Sequence, residues 1–265
     1  MGWLDRLRRA PPPAPADPQA EMDRALAAAR AGDYATALDA WERLARAGHA
    51  RAQNNIGACF SEGLGGLERD PALAARWLQL SAAAGDPVGQ RNLAALHFKG
   101  EGVAQDYARA ADLYRAAAEQ GDAPAQDMLS WMLLEGEVIA ADIPDARRWA
   151  EAAAAQGIAS SMTRLGMLYH NALGVERDTA EAARWWRLGA IGGDADGQAM
   201  LGAAFHLGAG VPRDTLAAYE WLLRGHEGGS GLAAPFLDPV RASLSPAQQA
   251  EAEQRARAPL PEATP

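Results

Sequence analysis

The sequence predicts an all-α fold, a right-handed α-solenoid of antiparallel helix pairs, and three observations carry that reading. Good helix formers (Ala, Leu, Glu, Arg) crowd the chain while β-branched residues are sparse. Residue types recur in register every 36 positions, which marks stacked copies of one supersecondary unit. Start and stop signals for helices fall in the same columns of every copy.

The elements follow in order. Asp17-Pro18 opens a first helix, and Asp33, Ala37, Trp41 and Gly48 carry the pattern of a second, giving an N-terminal capping pair over 17–48. Five full repeats span 49–229. Their second helices start at Asp70, Asp106, Asp142, Asp178 and Asp214, each placed as an N-cap. Four residues on stands alanine (Ala74, Ala110, Ala146, Ala182, Ala218), and seven on a bulky apolar residue (Trp77, Leu113, Trp149, Trp185, Trp221). That bulky column is expected to form the core between repeats, with Trp185 buried. Trp186, about 100° further round the helix, is expected to touch the next pair or solvent. Fifteen residues after each aspartate a glycine (Gly85, Gly121, Gly157, Gly193, Gly229) supplies the left-handed cap.

First helices carry Ile56, Leu93, Leu129, Leu165 and Leu201, followed by the small residues Gly57, Ala94, Ser130, Gly166 and Gly202. Four positions past the aliphatic column come Phe60, His97, Leu133, Tyr169 and Phe205. These helices end in Gly-x-Gly-Val, as at Gly100–Val103 and Gly208–Val211. The first copy holds one extra residue in Gly63-Leu64-Gly65-Gly66, and Glu137-Val138 stands in place of the second glycine in the third. A C-terminal capping pair covers 230–258. Leu237 falls on its aliphatic column, Pro239 is expected to kink or shorten its first helix, and Ser245-Pro246-Ala247-Gln248 starts its second. Residues 1–16 and 259–265 are Pro- and Ala-rich tails expected to be disordered.

Charge and cysteine usage narrow the function. A net charge of -9 and a pI near 5.1 leave no basic footprint for nucleic acid. Cys59 is the only cysteine, so no intramolecular disulfide forms and a cytoplasmic location is expected. No run of eighteen apolar residues would span a membrane. Pro11, Pro12 and Pro13 follow Met1–Arg9 where a secretory signal would have its apolar stretch. Within that segment Trp3, Leu4 and Leu7 lie among Arg6, Arg8 and Arg9, a short amphipathic stretch that could touch a membrane surface or a partner. On length alone a plain tail is favoured.

The pattern Ala-x-Ala-Gln-x-x-Leu-Gly-x-x-Tyr-x-x-Gly-x-Gly-Val-x-x-Asp-x-x-x-Ala-x-x-Trp resembles the Sel-one-like repeat, a relative of the tetratricopeptide repeat, over residues 33–229. The resemblance implies a non-catalytic scaffold or adaptor that holds a partner protein or peptide, working as a monomer without metal or cofactor. Cysteine-rich members are linked to β-lactam chemistry, but the paired cysteines that would carry a hydrolase reading are missing. A self-associating structural subunit is the other alternative. The residues themselves agree. No Walker loop, nucleophile elbow or His-Glu-x-x-His is present, and His170 and His206, which share a column, make at most two metal ligands.

In a tetratricopeptide-like pair the concave side is lined by first-helix residues off the packing columns. Positions two before and two, five or six after the aliphatic column select Asn54, Arg91, Phe98, Asp127, Trp131, Leu134, Glu135, Met167, His170 and His206; Thr163 and Leu207 share those positions. Phe98, Trp131, Leu134 and Met167 are the expected apolar anchors, with Arg91, Asp127 and Glu135 fixing polar groups. For Trp131 the alternative is packing against the adjacent repeat.

Overall fold

The computed structural model describes residues 15–260; the greater part of both expected disordered tails, 1–14 and 261–265, lies outside them. Among the described residues there are fourteen helices and no strand. Contacts divide the chain into two compact units, Met1–Ala125 and Gln126–Pro265. In the first lie α1 (Pro18–Arg30), α2 (Tyr34–Arg46), α3 (Ala50–Glu62), α4 (Pro71–Ala83), α5 (Pro87–Lys99) and α6 (Tyr107–Glu119). Helix α7 (Ala123–Glu135) spans the boundary. The second unit continues with α8 (Ile143–Ala155), α9 (Ala159–Asn171), α10 (Thr179–Ile191), α11 (Ala195–Leu207), α12 (Thr215–Glu227), α13 (Ala234–Ala242) and α14 (Pro246–Arg257). Odd-numbered helices are the first of each pair and even-numbered ones the second.

The aspartate columns do the capping that their spacing predicts. Asp70, Asp106, Asp142, Asp178 and Asp214 each accept from a backbone N–H in the first turn of their helix, and Asp86, Asp122 and Asp194 do so for first helices. The main-chain N–H of each second-helix cap also donates back to the ring column: Asp70 to Phe60, Asp106 to His97, Asp142 to Leu133, Asp178 to Tyr169 and Asp214 to Phe205. One aspartate therefore starts its own helix and ties it to the helix before. At the far end Ser245 and Gln248 form a reciprocal capping box. Pro239 lies inside α13, which has nine residues where full repeats have thirteen.

Packing within each pair rests on close approach. Ala74, Ala110, Ala146, Ala182 and Ala218 are all buried, as is the aliphatic column from Ile56 to Leu201. A Cβ on Gly57 would lie 2.7 Å from Leu78, one on Gly166 2.4 Å from Trp186, and one on Gly202 2.8 Å from Leu222. The small column exists so that the residue eight positions after each aspartate can press onto the first helix. That inner column runs Trp41, Leu78, Tyr114, Ala150, Trp186 and Leu222, each no more than 4 % exposed.

This geometry corrects one expectation. Trp186 is the buried residue, at 2 % exposure, and Trp185 is only half-buried. Trp186 packs forward with Ala182, Leu201 and Ala204, while Trp185 packs backward onto Ala150, Ala154, Leu165 and Leu168. Trp77, Leu113 and Trp149 of the same column are buried as expected, and arginines stack on three of its rings: Arg148, Arg184 and Arg224 place their guanidiniums 4.3, 4.9 and 5.5 Å from the rings of Trp149, Trp185 and Trp221. Glu181, bonded to Arg184, has its carboxyl held below the usual range.

The C-terminal end of α14 is held by Arg224, which donates to the carbonyls of Ala258 and Arg255; the Arg255 carbonyl also accepts from the Ala258 N–H. At the end of α9, Ala172 takes a left-handed conformation (φ 56°), where Gly63, Gly100 and Gly208 stand in other copies. A Cβ in that conformation meets the backbone. Ala172→Gly is therefore expected to raise stability by roughly 1 kcal/mol, read as a higher denaturant midpoint at unchanged slope; a lower midpoint would contradict the assignment of strain.

Candidate binding face on the first helices

The selected residues separate into two groups by what they touch. Those two positions before the aliphatic column hold neighbouring pairs together. Asn54 is buried and accepts from Asn92 at 2.8 Å. Arg91 forms an ion pair with Asp122 at 2.9 Å, the same aspartate that caps α7. Asp127 accepts from Ser161 at 2.5 Å and Arg164 at 2.8 Å. Thr163, buried, donates to the cap Asp194 at 2.6 Å. Each polar side chain bridges from one first helix to the next repeat, and a buried polar group needs such a partner.

The other group faces outward. In the second unit Trp131 and Leu134 on α7 and Met167 on α9 are half-buried, Glu135 is exposed, and Leu207 at the end of α11 is 58 % exposed. Leu134 rests its inner side on the Ala150, Leu165 and Leu168 cluster. His170 stacks obliquely on Trp186 at 5.2 Å, with its Nδ1 buried and without a protein partner, and His206 meets the edge of Phe236 at 6.1 Å. In the first unit Phe98 packs edge-on against Tyr107 at 5.2 Å. Beside it α3 and α5 bound a cavity of about 130 Å³, lined by Ala58, Ser61, Glu62, Asn92, Ala95 and Lys99 among others.

Ala58 and Ala95 were not singled out in the sequence. They occupy the column that holds Trp131 and Met167 in the second unit, and a small residue there opens a recess where a large one makes a ridge. Asn92 also escaped notice, since an amide one position off the aliphatic column has no signal of its own.

Among the described residues no group of three or more His, Cys, Asp or Glu side chains gathers as a metal site. Burial pushes the Cys59 thiol up to about 11, which keeps it protonated and a poor nucleophile at neutral pH. No described helix is long and apolar enough to cross a membrane.

Comparison with known proteins matches a Sel1 repeat model five times, at residues 50–86, 87–122, 123–158, 159–194 and 195–230. The crystal structure of a Sel1 repeat protein from Oxalobacter formigenes superposes with a TM-score of 0.75 at 28% sequence identity, covering 89% of this chain and 98% of that one. A Sel1 repeat protein from Klebsiella pneumoniae gives 0.48 at 21% identity, over 76% and 97% of the two chains. The immunity protein Pa5087 of Pseudomonas aeruginosa gives 0.48 at 21%, over 85% and 86%. No curated protein sequence matches.

Proposed function

The chain belongs to the Sel1 repeat family, and from that premise we propose that it is a non-catalytic scaffold that binds a partner protein or peptide on the first-helix face of its second unit. Proteins of this family are generally interaction scaffolds. The observation that carries the reading is the set of large apolar side chains left partly open there: Trp131, Leu134, Met167 and Leu207. Aromatic and aliphatic anchors of this kind, surrounded by polar groups such as Glu135, dominate the energetics of protein interfaces. Asn54, Arg91, Asp127 and Thr163 act in this reading as braces between repeats, while His170 and His206 flank the contact surface and Phe98 lies on the first helices of the first unit. The acidic balance argues against nucleic acid as the partner, and the lone thiol supports the cytoplasm as the compartment.

Affinity capture from the native cell with the full chain tests this. Trp131→Ala with Leu134→Ala is expected to weaken the captured complex at least tenfold while circular dichroism keeps the helical content of the parent, with only a modest fall in melting temperature from the lost Leu134 packing. Undiminished capture by that variant would remove the face from consideration. A dimer mass in light scattering that the same substitutions abolish would replace the partner by a second copy.

A further inference from the structure

Helices α1, α2 and α3 of the first unit meet around an open recess of about 280 Å³. Leu26 and Arg30 line it from α1, Trp41 from α2, Asn55 and Cys59 from α3, and Leu64 from the turn that holds the extra residue of the first copy. Two donors of this lining are buried without a protein acceptor: the indole Nε1 of Trp41, a residue 3 % exposed, and the Nδ2 of Asn55. Asn55 ends a relay of amides, in which Asn92 donates to Asn54 at 2.8 Å and Asn54 donates to the Asn55 oxygen at 3.2 Å. With that oxygen taken, Asn55 has only its NH₂ to offer, and the indole has only its N–H. A donor shut away from water without an acceptor is costly, so an oxygen brought from outside is favoured beside both. Among the described residues that line the recess, Arg30 is the one that carries a charge, and no carboxylate stands there.

We propose that this recess binds a small aliphatic monocarboxylate. An ionised carboxylate carries two acceptor oxygens with about four lone-pair sites, enough for the Trp41 and Asn55 donors together with the Arg30 guanidinium. Hydrogen bonds of this kind are strongest where water does not compete, as beside two buried donors. Asn55 is only half-buried and Arg30 is exposed, so the side chains around the donors can shift to admit an oxygen. Leu26, Cys59 and Leu64 form the apolar wall for the stem. At ~30 Å³ per non-hydrogen atom, the share of one water in the liquid, the recess takes about nine such atoms, a carboxylate on a stem of about six carbons. A neutral alcohol of equal length would leave a donor unpaired and Arg30 without a counter-charge. The inference concerns the first unit alone and does not rest on the partner face of the second.

Calorimetric titration of the full chain with butanoate, hexanoate and octanoate tests this. One site per chain is expected, with affinity rising about threefold to fourfold for each added methylene. Octanol should bind about tenfold more weakly than octanoate. Arg30→Glu, a change at an exposed position, should weaken octanoate about threefold or more. Asn55→Leu should weaken it about tenfold with circular dichroism unchanged, and Arg30→Glu decides alone if that variant melts early. Saturating octanoate should also slow the alkylation of Cys59, the only thiol, about threefold or more. No saturable binding, octanol equal to octanoate, affinity untouched by Arg30→Glu, or an alkylation rate indifferent to octanoate would overturn the proposal. So would a peptide ending in free leucine that displaces octanoate at lower concentration while its amide does not, since the recess would then take a partner's chain end.

Discussion

Trp186→Ala is expected to cost about 3–5 kcal/mol of stability, the range for emptying a buried aromatic site, and Trp185→Ala about 1–2 kcal/mol, in line with a side chain that stays partly in water. Trp186 fills the space above Gly166 and reaches Leu201 and Ala204 of the next pair, so alanine there leaves a cavity bounded by two repeats. Neighbouring side chains cannot close it, because α10 is fixed by its Asp178 cap and by the Asp178 N–H bond to Tyr169. Trp185 loses contact with Leu165 and Leu168 and the stacking of Arg184, but water takes its place. Solenoid stability is roughly a sum of repeat and nearest-neighbour terms, so the Trp186 variant should also broaden the denaturant transition or split it. Equal losses from the two variants, or a larger one at Trp185, would show that the inner column is misassigned.

Gly166→Val tests the same crossing from the opposite side. The first added carbon already lies 2.4 Å from Trp186 Cδ1, 2.5 Å from its Nε1 and 3.0 Å from the Ala182 carbonyl oxygen. The first two are flexible only if Trp186 leaves its pocket; the third is backbone. A loss on the order of 2–3 kcal/mol is expected, the cost of forcing methyl groups into a packed core. Removing the ring relieves the clash. Gly166→Val combined with Trp186→Ala should therefore lose clearly less than the two single variants added together, whereas full additivity would place the two residues out of contact.

How much of this was legible beforehand follows from what a column of residue types records. Capping aspartates, the buried alanines and the helix count were readable, because each depends on neighbours a few residues away in sequence. The choice between Trp185 and Trp186 was not. Both positions are apolar, a rotation of about 100° separates these adjacent residues, and only the direction of packing, back or forward, decides which is sealed. The braces were hidden for another reason. Arg91 meets Asp122 and Thr163 meets Asp194 only after two repeats are laid side by side, and nothing in Arg91 alone distinguishes a brace from a partner contact. The recess beside α1 had no signal, since the degenerate capping pair carries few of the columns from which packing was read.

The turns that close the first helices fix where this chain can change length. A Cβ on Gly102 would fall 2.1 Å from the Pro71 carbonyl oxygen, and one on Gly210 1.9 Å from that of Thr179; one on Gly65 would fall 2.7 Å from the Tyr34 Cβ and 2.8 Å from Leu38. Each second glycine thus rests on the opening residue of the preceding second helix, and the path from helix to glycine has no slack. The extra residue of the first copy enters just beyond that point, at Gly66, where open space surrounds the chain. An insertion upstream of the second glycine is therefore expected to unseat a neighbour and lower stability, whereas a single residue added between the second glycine and the next capping aspartate is expected to be accommodated.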